Sequence, residues 1–517
     1  VIAAHPSTRA RHLALAAVCT LLFLTFLDNT IVSVALVDIQ GSVHAGVQSL
    51  QWIVNGYVLV FACMMLTAGA LGDQIGHRKV MLAGATIFCA GSIVCALATN
   101  SAVLIAGRAI MGLGAAGSEP GTLTMLRHLY PEQRERAHAT GIWAAVSGLA
   151  LALGPVIGGA IIGFTSWRGI FWFNLFFGAG ALALAVVLVP ETVPGRGRRL
   201  DLVGTVLGAG SLGLLVFGII DGETAGYTSP LILAMTVVAV AMGIAFVRRE
   251  RHAPFPVLDM RFASAPTFAA SNLVAFATYF GTFAIFFFCA LYLRAVVGDS
   301  GYLIALEFVP MMVAMIVTSL TTGRLLARTG IRTPIVAGCT CFAAGLVLTG
   351  RALGPHPAYL PLAGALALAG AGIGLAMVPT TFAATDAVPL DHAGMASSAI
   401  NTSREIGAVA GTAVLGAIVN ATLVRHLTSQ VKPLGIEPKA VIDSVRRGGL
   451  RLRESAGSPA AHLFATFENK VLHAVYDAFY SALQICLVLS ASVVMFSGAV
   501  AFVALRNQHA KPPPAQE

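Results

Sequence analysis

Five charged side chains stand where charge is costly, inside long apolar runs: Asp28, Arg108, Glu119, Glu307 and Glu405. An ionised group in hydrocarbon pairs, faces a wet cavity or trades protons. Desolvation disfavours the charged form of a carboxyl, so a membrane-embedded acid can exchange protons near neutral pH. Asp28 lies deepest in its run and is the first candidate for a proton site. Arg108 sits one to two helical turns into another run and needs an acidic or carbonyl partner. Glu119, followed by Pro120, is a candidate second proton site or a group that tunes substrate choice. Glu307 lies near the end of its run. Arg404 and Glu405 are adjacent, so on a helix their side chains diverge by about 100° and cannot share one partner. The chemistry these groups offer is reversible protonation. No nucleophile elbow, H-E-x-x-H or Cys/His metal spacing is present, so no catalytic residue and no metal site is expected. No G-x-x-x-x-G-K-[ST] loop occurs either, so ATP is not expected as a partner and an ion gradient must do the work.

The elements that position these groups are membrane helices. The chain is 57% hydrophobic and only 11% charged, with a mean hydropathy of +0.82, against about 25% charged residues in a soluble domain. At roughly 20 apolar residues per crossing, fourteen spans fit between residues 12 and 504. The 32 basic against 23 acidic residues give +9, but the positive charges lie between apolar runs and form no basic face, which excludes a nucleic-acid partner. The basic residues gather in the N-terminus, the alternate loops and the C-terminus, which predicts that both termini are cytoplasmic. The loop Asp386–His392 belongs to that side yet carries no Lys or Arg. The first run is too long for a cleavable signal peptide and is expected to remain as a span. All eight Cys fall in apolar runs and read as packing residues.

Between the second and third spans lies GALGDQIGHRK (Gly69–Lys79), and 254 residues on comes a partial echo, GRLLARTGIRT. The echo keeps Leu71 as Leu325, Gly76 as Gly330 and Arg78 as Arg332. A charged loop duplicated at matching places points to a transporter built from repeats. Gly69 and Gly76 allow a tight turn and close helix approach. Asp73 can pair with Arg78 or with a helix N-terminus across the interface between halves, with Lys79 beside them. Gly154, Pro155, Gly158 and Gly159 let the fifth span bend and approach a neighbour. Asn29, Trp52, Asn55, Tyr57, Trp143, Asn174 and Tyr279 are candidates to line a central cavity, where aromatic faces suit lipophilic cations.

These segments together resemble the major facilitator superfamily, in particular its fourteen-span drug:proton antiporters. The resemblance rests on the Gly69–Lys79 loop with LDNTIVSVAL (27–36), GRAIMGLGAAG (107–117), LGPVIGG (153–159), WRGIFWFNLFFG (167–178) and SSAINTSREIGAVAG (397–411). These run in family order over nearly the whole chain. The resemblance implies roles in proton coupling for Asp28 and Arg108, and places Arg404 in a family motif. Glu119 departs from the family's usual apolar residue. The implied fold is an all-α integral membrane protein. A six-helix bundle (12–189) and a second (267–504) flank an inserted helix pair (190–266), with short tails at 1–11 and 505–517 and an extracytoplasmic loop at 425–478. The implied function is proton-driven multidrug efflux by alternating access, in a bacterial cytoplasmic membrane, by a monomer that needs no cofactor. Its partners would be small-molecule substrate, protons and the lipid bilayer. A dedicated exporter of one metabolite is the alternative, and a non-transporting sensor or a membrane-embedded enzyme fits the motifs less well.

Overall fold

A computed structural model describes residues 8–43, 47–192, 201–293, 297, 299, 301–354, 357–431 and 461–506. The basic stretch 196–199 lies outside them. Fourteen long helices account for the apolar runs: α1 (Thr8–Ile31), α2 (Val47–Ile75), α3 (His77–Ala96), α4 (Ser101–Leu129), α5 (Gln133–Phe164), α6 (Arg168–Leu188), α7 (Leu202–Ala225), α8 (Pro230–Glu250), α9 (Pro266–Phe283), α10 (Gly301–Thr329), α11 (Arg332–Ala352), α12 (Tyr359–Asp386), α13 (Ala393–Val431) and α14 (Ala461–Ala504). Thirteen are long and apolar enough to cross a membrane as they stand. The fourteenth, α5, bends by 42° between Gln133–Leu151 and Val156–Phe164. Pro155 lies in that break, where its missing N–H removes a backbone bond.

Polar residues left between the apolar runs cap the helices. Asn100 accepts from the Val103 amide at 3.0 Å to start α4, and Asp201 accepts from the Val203 and Gly204 amides at 3.1 Å to start α7. Ser229 caps α8, whose first residue is Pro230, the position where a missing N–H costs nothing.

Helices α1–α6 close around Leu22, Phe26, Phe61, Phe88, Met111 and Phe171. Helices α9–α14 close around Ile285, Phe342, Leu346, Leu366, Leu483 and Leu487. The two six-helix bundles meet through α2, α4 and α5 of the first and α10, α12 and α13 of the second, while the inserted pair α7–α8 packs on α2 and α13. The same close crossing occurs in each half. A Cβ on Gly84 of α3 would lie 2.6 Å from the Gly114 carbonyl oxygen of α4, and one on Gly345 of α11 would lie 2.6 Å from the Ala369 Cα of α12. The duplicated loop repeats too, with φ of 101° at Gly76 and 73° at Gly330, a region that favours glycine.

The segment 425–478 lies between the last two stretches apolar enough to cross a membrane, which end at Thr422 and begin again at Asp477. Helix α13 continues to Val431 and α14 begins at Ala461, so both flanks are helical and 432–460 lies outside the described residues. The described chain starts and stops at the end of the bundles that carries the Gly69–Lys79 loop, hereafter the motif end: Arg11 near the start bonds Glu135 at the start of α5, and Arg332 after the echo loop stacks on Phe502.

Candidate functional site

Three polar assemblies break the apolar interior. The first lies inside the first bundle. Arg108 of α4 donates to Asp28 of α1 at 2.5 Å, and Asn174 of α6 donates to the other Asp28 oxygen at 2.7 Å. The guanidinium also donates to the Ile53 carbonyl at 3.0 Å and lies over the Tyr57 ring at 4.4 Å. Asp28 and Arg108 are 0% and 1% exposed. A buried pair survives desolvation only when both charges are well bonded, and here four helices supply those bonds.

The second assembly lies between the bundles. Arg404 of α13 donates to Asn401 at 2.7 Å and to Thr381 of α12. Its guanidinium sits between Trp143 of α5, at 5.4 Å, and Tyr279 of α9, at 5.6 Å. Trp143 is fixed by its indole N–H, which donates to Thr122 at 3.0 Å, and by an edge contact with Phe26. Glu119 of α4 and Glu405 of α13 are both buried and feel each other's charge. Arg404 spends its hydrogen bonds on neutral groups, and one Glu119 oxygen has no hydrogen-bond partner.

The third assembly closes the motif end. Asp73, at the end of α2, accepts from the amides of Gly394 and Met395 at 2.9 and 3.0 Å, which are the first turn of α13. His77 shares the same carboxylate at 3.0 Å. A carboxylate at a helix N-terminus satisfies orphan amides and the positive end of the dipole. Gly69 makes the approach possible, because a Cβ there would lie 2.6 Å from that of Ser398. Of the two partners the loop's spacing allows Asp73, the helix N-terminus is taken; Arg78 instead bonds Glu191 and the Val186 carbonyl at the end of α6, and Lys79 is exposed. Nearby, Ser397 and Thr124 bond across the interface at 3.0 Å. Arg127 donates to the Thr385 and Val388 carbonyls, and Arg136 pairs with Asp386 and lies over Phe382. The loop Asp386–His392, which has no Lys or Arg of its own, thus receives two arginines from the other bundle. The echo loop has Ala327 where Asp73 stands in the first, so the acid that caps a helix belongs to one half only.

The remaining candidates scatter. Gly154 and Gly158 face α1, where a Cβ on Gly158 would lie 2.7 Å from Val34, whereas Gly159 has nothing within 4 Å. Tyr57 and Asn174 join the first assembly, and Trp143 and Tyr279 the second. Trp52 meets Phe217 of α7, with ring centroids 5.0 Å apart and the rings tilted by 37°. Asn29 and Asn55 are half-buried on α1 and α2. Glu307 stands apart in the second bundle, near Asp299, with one buried oxygen that has no hydrogen-bond partner.

Sequence reasoning missed how the inserted pair is tied to the motif end. Arg249 of α8 pairs with Asp201 at 2.8 Å. The linker after α8 is held by Glu250, which accepts from the Leu258 amide, and reaches the start of α13, where the Asp259 amide approaches the Met395 sulfur at 3.2 Å and Phe262 meets His392 edge-on. The Arg261 guanidinium holds the Asp259 carboxyl below its ordinary value. An Asp directly before an apolar run, as at Asp201, was the one available signal.

Two similar six-helix bundles, buried charges between them and a bonded closure at one end are the architecture of a membrane transporter. The chain belongs to the major facilitator superfamily, whose family model matches residues 18–412. It is 34% identical to the multidrug resistance protein Stp of Mycobacterium tuberculosis, over 86% of this chain and 81% of that one. It is 33% identical to the methylenomycin A resistance protein of Bacillus subtilis (76% and 84%) and 31% identical to the drug efflux pump JefA of M. tuberculosis (92% and 94%). The fold matches that of the human organic anion transporter MFSD10, with a TM-score of 0.61 at 16% identity over 96% of this chain and 100% of that one.

Proposed function

We propose that this chain exports small organic compounds, lipophilic or cationic, from a bacterial cell across its cytoplasmic membrane, driven by inward proton flow. The observation that supports the coupling is the Asp28–Arg108 pair, bonded at 2.5 Å with the two residues 0% and 1% exposed. A proton on Asp28 would release Arg108 and loosen the packing of α1 on α4 and α6, which connects charge state to bundle geometry. The relatives named for multidrug resistance and drug efflux support the direction and the substrate class.

The loops and tails of the motif end carry most of the basic residues, which supports a cytoplasmic position for that end. Bonded shut there, the protein would be open or opening toward the outside, with substrate sites near the midplane between the bundles. No cofactor is needed in this scheme, and a monomer suffices because both halves of the site come from one chain.

The test is accumulation of ethidium and of several uncharged antibiotics in a bacterial host stripped of its major efflux pumps. Expression should lower accumulation, and a protonophore should restore it. Accumulation equal to that of an empty vector across the whole panel would refute the reading. A narrower version is favoured by relatives named for single antibiotics, such as methylenomycin A and puromycin; it predicts export of one compound class only.

A further inference from the structure

Helices α1 and α5 both start at the motif end and run side by side, tied together at two places. Deep in the bundle the Thr30 hydroxyl donates to the Leu151 carbonyl at 3.1 Å, and a Cβ on Gly154 would lie 2.9 Å from that of Thr30. At the motif end Arg11 pairs with Glu135 at 2.7 Å and lies over the Tyr130 ring at 5.7 Å. Between these ties lies a groove of about 910 Å³, at the upper end of the roughly 300–1,000 Å³ of small-molecule pockets. Among the described residues none of the second bundle lines it, so it opens on the flank of the first bundle and not on the interface between bundles. Its walls run from His12 to Phe23 on α1 and from His138 to Leu149 on α5. Each is eleven residues of helix, about 17 Å, and one leaflet is half of a hydrocarbon core about 30 Å thick.

The groove is polar at one end. Leu15, Phe23, Ile142, Val146 and Phe177 of α6 make its apolar length, while His12, Tyr130, Glu135 and His138 gather at the motif end. Tyr130 is 5% exposed, and its hydroxyl has no hydrogen-bond partner. The Nε–H of Arg11, beside it, is also buried without one. Buried donors left unmade are costly, so two donors at this rim call for an acceptor. Glu135, the one carboxylate lining the groove, is already taken by Arg11. We infer that the groove holds one glycerophospholipid of the leaflet at the motif end. Its phosphate accepts from the Tyr130 hydroxyl and the Arg11 Nε–H, and its acyl chain lies in the trough between α1 and α5. This goes beyond the transport reading and does not depend on it. The length of the trough selects a tail: a compact molecule bound at the rim would leave the deep end, at Phe23 and Phe177 with ring centroids 5.6 Å apart, unfilled. The helix starts carry Arg9, Arg11 and Arg134 against Glu132 and Glu135, a balance that draws anionic headgroups. A lipid seated there braces α1, the helix of Asp28, against α5, the helix that packs on α10 of the second bundle.

The experiment uses the purified full-length chain in detergent, with dioleoylphosphatidylglycerol and uncharged dioleoylglycerol as probes. Bound lipid is read by native mass spectrometry, and the midpoint of thermal unfolding is followed with and without each probe. Wild type should retain one phosphatidylglycerol after the other lipids are stripped, and should bind dioleoylglycerol more weakly. Tyr130→Phe removes only the hydroxyl and should weaken phosphatidylglycerol by about tenfold, as for one hydrogen bond to a charged group, with dioleoylglycerol unchanged. Ala16→Trp fills the trough at an exposed position and should abolish retention of both. Val237→Trp, at a site 68% exposed on α8, should alter neither. Phosphatidylglycerol should raise the unfolding midpoint of wild type and Val237→Trp but not of Ala16→Trp. Equal retention by wild type and Ala16→Trp overturns the inference. So does Tyr130→Phe when it weakens both lipids equally or neither, and that variant decides the matter if Ala16→Trp does not fold. Retention of ethidium in place of phosphatidylglycerol, lost in Ala16→Trp, would make the groove a cargo site; it overturns the lipid assignment and leaves the transport reading standing.

Discussion

Replacing Asp73 by Ala should open the motif end. Its carboxylate accepts two backbone amides from the start of α13, at 2.9 and 3.0 Å, and a histidine at 3.0 Å. Hydrogen bonds to a charged group contribute about 1.5–3 kcal/mol each, and a carboxylate at a helix N-terminus a further 0.3–1 kcal/mol or so. In the open arrangement water would take over the freed amides, so only part of this sum separates the two states. A net bias of about 3 kcal/mol follows, roughly a 150-fold change in the open-to-closed ratio. Asp73→Asn keeps one acceptor oxygen and loses the charge, and should fall between Ala and wild type. Spin labels at Ile75 and Leu390, both exposed and on opposite bundles, would report the separation by double electron–electron resonance. Wild type should give a short distance, Asp73→Ala a longer or bimodal one, and Asp73→Asn a mixture. Identical distributions in all three would show that Asp73 caps α13 without holding the bundles together.

Asp28→Asn leaves Arg108 buried without its charge partner, a loss of about 3–5 kcal/mol. The midpoint of thermal unfolding in detergent should drop clearly, and adding Arg108→Met should recover much of it. Gly158→Ala pushes a methyl against Val34 and Ile31 and should cost about 1–3 kcal/mol by overpacking; Gly159→Ala, with nothing within 4 Å, should stay within about 0.5 kcal/mol. The same unfolding assay ranks the two. Arg261→Gln removes the guanidinium that lowers the Asp259 carboxyl. That stabilisation is present above the ordinary carboxylate range and lost as pH falls through the depressed value. Hydrogen exchange over 254–265 should therefore differ between wild type and variant at pH 7 and converge in strong acid.

Much of the fold was legible because a bilayer reduces folding to a short list of options. Apolar runs of sufficient length must become helices, and the helices α1–α14 fall on those runs. The duplicated loop was visible as repeated glycines, and both Gly76 and Gly330 carry the positive φ that such repetition implies. What the sequence lacks is rotation: it places Asp28, Arg108 and Asn174 on three helices without saying that they converge. Nor does it pair Trp52 with Phe217 of α7, because hydropathy does not show which helices are neighbours. The sequence likewise does not show that Arg404 and Glu405 are buried, the first between Trp143 of α5 and Tyr279 of α9. The reach of α14 back to Ala461 was hidden by charged residues such as Glu468 and Lys470, which end an apolar window without ending a helix.

Proton release from everted membrane vesicles tests the central claim most directly. Vesicles holding an inward-acidic pH gradient would receive tetraphenylphosphonium, ethidium and uncharged antibiotics in turn, with wild type beside Asp28→Asn. Compound-triggered loss of the gradient in wild type, absent for every compound in Asp28→Asn, is the predicted pattern. Compound-triggered proton release that persists in Asp28→Asn would contradict the assignment of the coupling site, and transport without any proton release would contradict the antiport mechanism.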